Sequence, residues 1–108
     1  MQDLSSTFAA LGDATRFAIV ERLLREGELS AGQLQDEVSI SPPAVSRHLK
    51  VLRQAGIVNQ RVDKQRRMYS ARPEAVQTIC AWTMSHREFW QRSLDRLEAA
   101  LKMEVTRK

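Results

Sequence analysis

Ser41, Ser46, Arg47 and Lys50 fall close together in the middle of this chain of 108 residues, and three further cations, Lys64, Arg66 and Arg67, follow within one short segment. If residues 42–54 are helical, an advance of about 100° per residue puts Pro43, Ser46, Arg47 and Lys50 on one face and Val45, Leu49, Leu52 and Gly56 on the opposite one. A helix with those two faces has the chemistry to enter the major groove of duplex DNA. The Arg47 guanidinium matches guanine O6 and N7 in two-pronged fashion, the Ser46 hydroxyl serves several bases, and Pro43 or Ala44 offers apolar contact to a thymine methyl. Ser41, Lys50, Lys64, Arg66 and Arg67 suit phosphates, positioning the helix and reaching toward a minor groove.

Such a helix needs a start, a stop and a neighbour. Ser41 is a favourable N-cap, Pro42 and Pro43 fall in the first turn where a missing N–H costs little, and Ile40 can staple against Val45. Gly56 supplies the stop. An earlier start is written in Ser30-Ala31-Gly32-Gln33, a capping box flanked by Leu29 and Leu34. After a first helix of about two turns, only a short turn is left before Ser41, the connection length of a helix-turn-helix. Ile57 to Val62 then reads as a strand, Asp63 to Arg67 as a turn, and Arg67 to Ser70 as a returning strand.

Charge is concentrated on the same segment. Residues 42–72 hold eight Lys and Arg against the single acid Asp63, a net of +7, whereas residues 1–41 carry three basic and seven acidic side chains and residues 73–108 carry six and five. Positive charge gathered on one motif is the electrostatic footprint of phosphate contact.

The flanking segments read as helices. Leu4, Phe8 and Leu11 form one stripe, Gly12 ends that helix, and Asp13 caps a second in which Phe17, Val20, Leu23 and Leu24 are expected to be buried. From Pro73 to about Lys102 there is no further Gly or Pro. Val76, Cys80, Thr83, Arg87, Trp90, Leu94, Leu97 and Leu101 follow a three-four spacing, with Trp82, His86 and Phe89 on an adjoining stripe. Thirty helical residues would span about 45 Å, too long for a domain of this size unless part packs on a second copy.

Two stretches resemble the ArsR-type winged-helix repressors of bacteria: Phe8-Ala9-Ala10-Leu11-Gly12-Asp13-Ala14-Thr15-Arg16, and Ser41-Pro42-Pro43-Ala44-Val45-Ser46-Arg47-His48-Leu49-Lys50-Val51-Leu52-Arg53-Gln54-Ala55-Gly56-Ile57-Val58. The likeness runs from residue 7 to about 101. It implies a mainly α fold with a small β-hairpin wing, and a homodimeric DNA-binding repressor joined through its terminal helices. Leu4, Phe8, Leu11, Trp82, Phe89, Trp90, Leu94, Leu97 and Leu101 are the expected interface residues. The expected parts are N-terminal helices in 1–26, a helix-turn-helix in 30–56, a wing in 57–72 and a dimerisation helix in 73–102, all in one domain. Many relatives sense metals through a Cys-Xaa-Cys pair where this chain has Ser30 to Gln33, or through a His- and carboxylate-rich set on the last helix, where it offers only His86. The resemblance is therefore to the branch without a metal site, some of whose members are autorepressors. Lys64-Gln65 stands at the wing tip where relatives commonly have Gly-Arg.

The remaining candidates have plainer readings. Asp13 is an N-cap ahead of an apolar-periodic helix rather than a ligand or catalytic acid. His48, at the edge of the buried face, supports the recognition helix in preference to touching a base. His86 between Trp82 and Phe89 is the candidate for a pH-sensitive or ligand-contacting group, with packing the favoured role. Cys80 is read as a small buried residue, the alternative being a redox switch with a second Cys80.

No phosphate-binding Gly loop, Ser/His/Asp set or paired catalytic carboxylates are present, and Asp36 and Glu37 read as solvating acids, so an enzyme is not expected. Nor is a metal or cofactor. The partners are double-stranded DNA and a second copy, an inducer being undetermined. With no membrane-length apolar run and no leader-like start, a cytoplasmic protein is expected. A protein-interaction module docking through the same surfaces remains the competing class.

Overall fold

A computed structural model describes residues 3–106, and the chain divides after Gln77 into two compact units. The first contains α1 (Leu4–Leu11), α2 (Ala14–Glu26), β1 (Leu29–Ser30), α3 (Ala31–Asp36), α4 (Pro42–Gln54), β2 (Val58–Asp63), β3 (Arg66–Ala71) and the first residues of α5 (Pro73–Ser85). The second holds the rest of α5 and α6 (Arg87–Thr106). The C-terminal segment, expected to begin at Pro73, thus leaves its first turn in the first unit, where Ala75 is buried in the core.

Local chemistry sets the helix ends. The Arg16 N–H donates to Asp13 Oδ2 at 3.0 Å to cap α2. Ser30 Oγ accepts from the Gln33 N–H at 3.1 Å while Gln33 Oε1 accepts from the Ser30 N–H at 2.8 Å, completing the capping box. Ser41 Oγ accepts from the Ala44 N–H at 3.3 Å, with Pro42 and Pro43 in the first turn of α4. The exit of α4 is a two-bond lock. Gly56 has φ 74°, its N–H donates to the Arg53 carbonyl and the Ile57 N–H to the Leu52 carbonyl, so the residue most easily placed in a left-handed conformation stands where the chain reverses.

One apolar core unites the first unit. Val45, Leu49 and Leu52 of α4 pack with Ile19, Val20 and Leu23 of α2, Leu34 of α3, and Leu29, Ile57, Val58 and Tyr69 around the sheet. The phase of α2 differs from expectation, for Phe17 and Leu24 are 50% and 56% exposed. On a wheel they lie about 100° from the centre of the Ile19–Val20–Leu23 arc, and α2 turns only that arc inward.

The sheet is antiparallel in the order β1-β3-β2, with Leu29 opposite Tyr69 and Ser30 opposite Met68 in one pair, and Val58 opposite Ala71 through Asp63 opposite Arg66 in the other. β1 was not expected, two residues being too few to show an alternation. Strand β2 begins at Val58, one residue later than expected, because the Ile57 N–H is engaged in the α4 lock. The hairpin turn is shorter than the Asp63–Arg67 span: Asp63 pairs with Arg66, leaving Lys64-Gln65 as a two-residue loop, and Arg66 and Arg67 stand on β3. Lys64 takes φ 59°, the left-handed conformation that glycine adopts without steric cost.

The expected single C-terminal helix is interrupted at His86. Ser85 Oγ donates to the Trp82 carbonyl at 2.7 Å, the group a continuous helix would offer to the His86 N–H, which turns instead to the Thr83 carbonyl at 3.2 Å. The helix restarts as Trp90 bonds the His86 carbonyl and runs to Thr106, beyond the expected end.

Candidate nucleic-acid interface

With Val45, Leu49 and Leu52 turned inward, α4 leaves Pro43, Ser46, Arg47 and Lys50 exposed together on its outer face, and Ala44 half-buried at its flank. The basic face carries no acid. Ser41 is exposed too, but its oxygen already accepts the capping bond, so its hydroxyl hydrogen is what remains for a phosphate. Lys64 and Arg66 lie at the hairpin end and Arg67 one residue further along β3, all exposed.

Counting cations along the sequence overstates the charge this surface offers. Arg61 Nε donates to Glu28 Oε2 at 2.7 Å and its Nη2 reaches Glu28 Oε1, a two-pronged pair that joins β2 to the residue before β1. Arg72 sits 3.7 Å from Glu74 and Arg66 3.7 Å from Asp63. Of the eight cations in 42–72, the five with no acidic partner among the described residues are Arg47, Lys50, Arg53, Lys64 and Arg67. The Arg61 hydrogen bond, seconded by its charge, holds the Glu28 carboxyl below the ordinary carboxylate range.

Between α4 and the α1–α2 corner lies a polar cluster that the residue pattern did not reveal as one. Arg16 Nε donates to the Ala10 carbonyl of α1 at 2.7 Å, and Arg16 Nη1 stands 3.3 Å from His48 Nδ1 on α4. Asp13 Oδ2 lies 3.8 Å from the same ring nitrogen. The Asp13 carboxyl is held below its usual range, first by the Arg16 N–H and then by the Arg16 charge. Asp13 is thus the expected cap with a second neighbour, and His48 is half-buried against the α1–α2 corner. The available signal was the presence of Asp13 and Arg16 in one family-like stretch and of His48 in the other.

Other expectations fare differently. Cys80, read as buried, is exposed. His86, read as packed, is also exposed, with its ring edge-on to Trp82 at a centroid distance of 5.4 Å. Leu4 and Leu11 are half-buried, Leu11 against the core, and Phe8 is exposed. No residue of α6 is buried, and Phe89, Trp90, Leu94, Leu97 and Leu101 are all more than 40% exposed. Among the described residues no three His, Cys, Asp or Glu side chains gather, and no helix is long and apolar enough to cross a membrane.

Residues 11–61 match a helix-turn-helix domain family. The chain is 44% identical over 85 residues to the HTH-type transcriptional regulator Rv2034 of Mycobacterium tuberculosis, covering 79% of this chain and 76% of that protein. It is 30% identical over 82 residues to the transcriptional repressor SdpR of Bacillus subtilis, covering 76% and 90%. A crystal structure of an ArsR family transcriptional regulator superposes with a TM-score of 0.75 at 26% identity, over 82% of this chain and 96% of that one.

Proposed function

The chain belongs to the ArsR family of winged helix-turn-helix transcriptional regulators, and from that premise we propose how this DNA-binding repressor, which is not an enzyme, engages its site. Two copies associate through α1, α5 and α6 and set residues 42–54 of each in successive major grooves, about 34–36 Å apart, on an imperfect palindrome. Ser46 and Arg47 read base edges, Pro43 or Ala44 touches a thymine methyl, and Ser41, Lys50, Lys64 and Arg67 hold phosphates, as does Arg66 once its long, exposed contact to Asp63 gives way. Bound there, in the cytoplasm, the dimer blocks polymerase without a metal inducer.

The observation that carries this reading is the division of α4 into a core face of Val45, Leu49 and Leu52 and an exposed basic face of Ser46, Arg47 and Lys50. The uncovered apolar stripe of α6, from Phe89 to Leu101, supports the association of two copies. Selection of bound fragments from a random duplex pool by the purified protein yields the operator and its half-site spacing. In a fluorescence anisotropy titration on that operator, Arg47→Glu abolishes specific binding while sedimentation still shows the dimer. Operator affinity retained by Arg47→Glu refutes the assignment of α4 as the reading helix.

A further inference from the structure

We propose that Arg16 and His48 are positioning residues for DNA reading: a directional clamp between the α1–α2 corner and α4 that sets the rotation of the reading helix about its own axis. The proposal rests on α4 being the groove-entering helix. Val45, Leu49 and Leu52 bury one face of α4, but apolar contact is non-directional and tolerates a small rotation. The Arg16–His48 contact joins residues 32 apart in sequence and does not tolerate it.

The chemistry fixes more than proximity. A guanidinium has donors and no acceptor, so in the bond to Arg16 the His48 Nδ1 accepts and the ring carries its proton on Nε2. The same guanidinium is held from the other side by the Ala10 carbonyl at the end of α1, and the first turn of α2 is held by Asp13. His48 follows Ser46 and Arg47 directly, so whatever fixes its ring fixes the helical turn that presents them. Side chains reach about 6 Å from a helix axis. A rotation of about 10° there moves a base-contacting atom by about 1 Å, enough to break a hydrogen bond whose range spans about half an ångström.

His48→Leu removes the acceptor at similar size, and His48→Asn keeps an acceptor near the position of Nδ1. The measurement is the ratio of affinities for the selected operator and for a random duplex of equal length, with thermal melting and sedimentation on the same samples. His48→Leu is expected to lower the ratio by about tenfold or more, the discrimination of one good base contact, with random-duplex affinity and dimer assembly unchanged. His48→Asn recovers most of the loss. Arg16→Lys, which cannot hold the Ala10 carbonyl and His48 together, reproduces it, and Arg16→Lys combined with His48→Leu loses no more than either alone. An unchanged ratio in His48→Leu overturns the clamp, as do equal losses in Leu and Asn variants, additive losses in the double variant, or a loss that follows a fall in melting temperature. If the wild type itself does not distinguish operator from random duplex, the reading-helix assignment fails and the clamp with it, whereas discrimination kept by every variant removes the clamp alone.

Discussion

Arg61 and Lys64 are indistinguishable as charges in the sequence, yet their different pairing in the structure predicts opposite consequences for DNA binding. Arg61 is held two-pronged by Glu28, while Lys64, at the hairpin tip, makes no ion pair among the described residues, its neighbour Asp63 lying against Arg66 instead. Each phosphate contact contributes about 0.9 to the slope of log affinity against log salt, so replacing Lys64 in both copies of a dimer should flatten the slope by about 1.8. Over a fourfold rise in salt, the variant then loses about tenfold less affinity than the wild type.

Lys64→Gly is the informative substitution. Glycine takes the φ of 59° without the cost of about 1–2 kcal/mol that a side chain meets there, against about 0.4–1 kcal/mol for a freer unfolded chain. The variant should therefore be as stable as the wild type or slightly more so, and its lost affinity belongs to the charge. Arg61→Ala should leave the slope unchanged. Anisotropy titrations at several salt concentrations, on operator and on random duplex, measure both. An equal flattening by Arg61→Ala, or a Lys64→Gly loss confined to one operator base, refutes the partition of the cations.

Further perturbations probe the scaffold. Leu52, at 0% exposure, should cost about 2–5 kcal/mol of unfolding free energy on replacement by Ala, read by urea denaturation. Leu97→Glu on the exposed stripe of α6 should shift sedimentation from dimer to monomer and weaken operator binding, with the melting of the first unit preserved. Glu28 has its folded-state pKa lowered by Arg61, so its contribution to stability is present above the unfolded value of about 4.3 and fades as pH falls through the lower folded value. Glu28→Gln should accordingly narrow the gap in stability between neutral pH and pH values below about 4, and an acid profile identical to the wild type's contradicts the ion pair.

Helix boundaries were legible where a single side chain does the capping. Ser30, Ser41 and Asp13 each meet an N–H three residues away, and Gly56 closes α4, so the positions of α2, α3 and α4 follow from local chemistry. The two faces of α4 were legible for the same reason, since a helical period needs no partner to be read. Less was readable where the deciding contact was remote or the segment short. The phase of α2 put Phe17 and Leu24 outside because α3, α4 and the sheet select which arc is covered. The interruption at His86 depended on the Ser85 hydroxyl choosing a backbone acceptor, a competition that periodicity does not register.

The residue order alone thus determined the helix-turn-helix, its basic outer face and the family resemblance, because caps, periods and charge runs act over a few positions. Tertiary structure alone decided which cations remain available for phosphate, by bringing Glu28 to Arg61, and what restrains the reading helix, by bringing Arg16 to His48. Those pairs are separated by 33 and 32 residues, and only the folded core closes that distance.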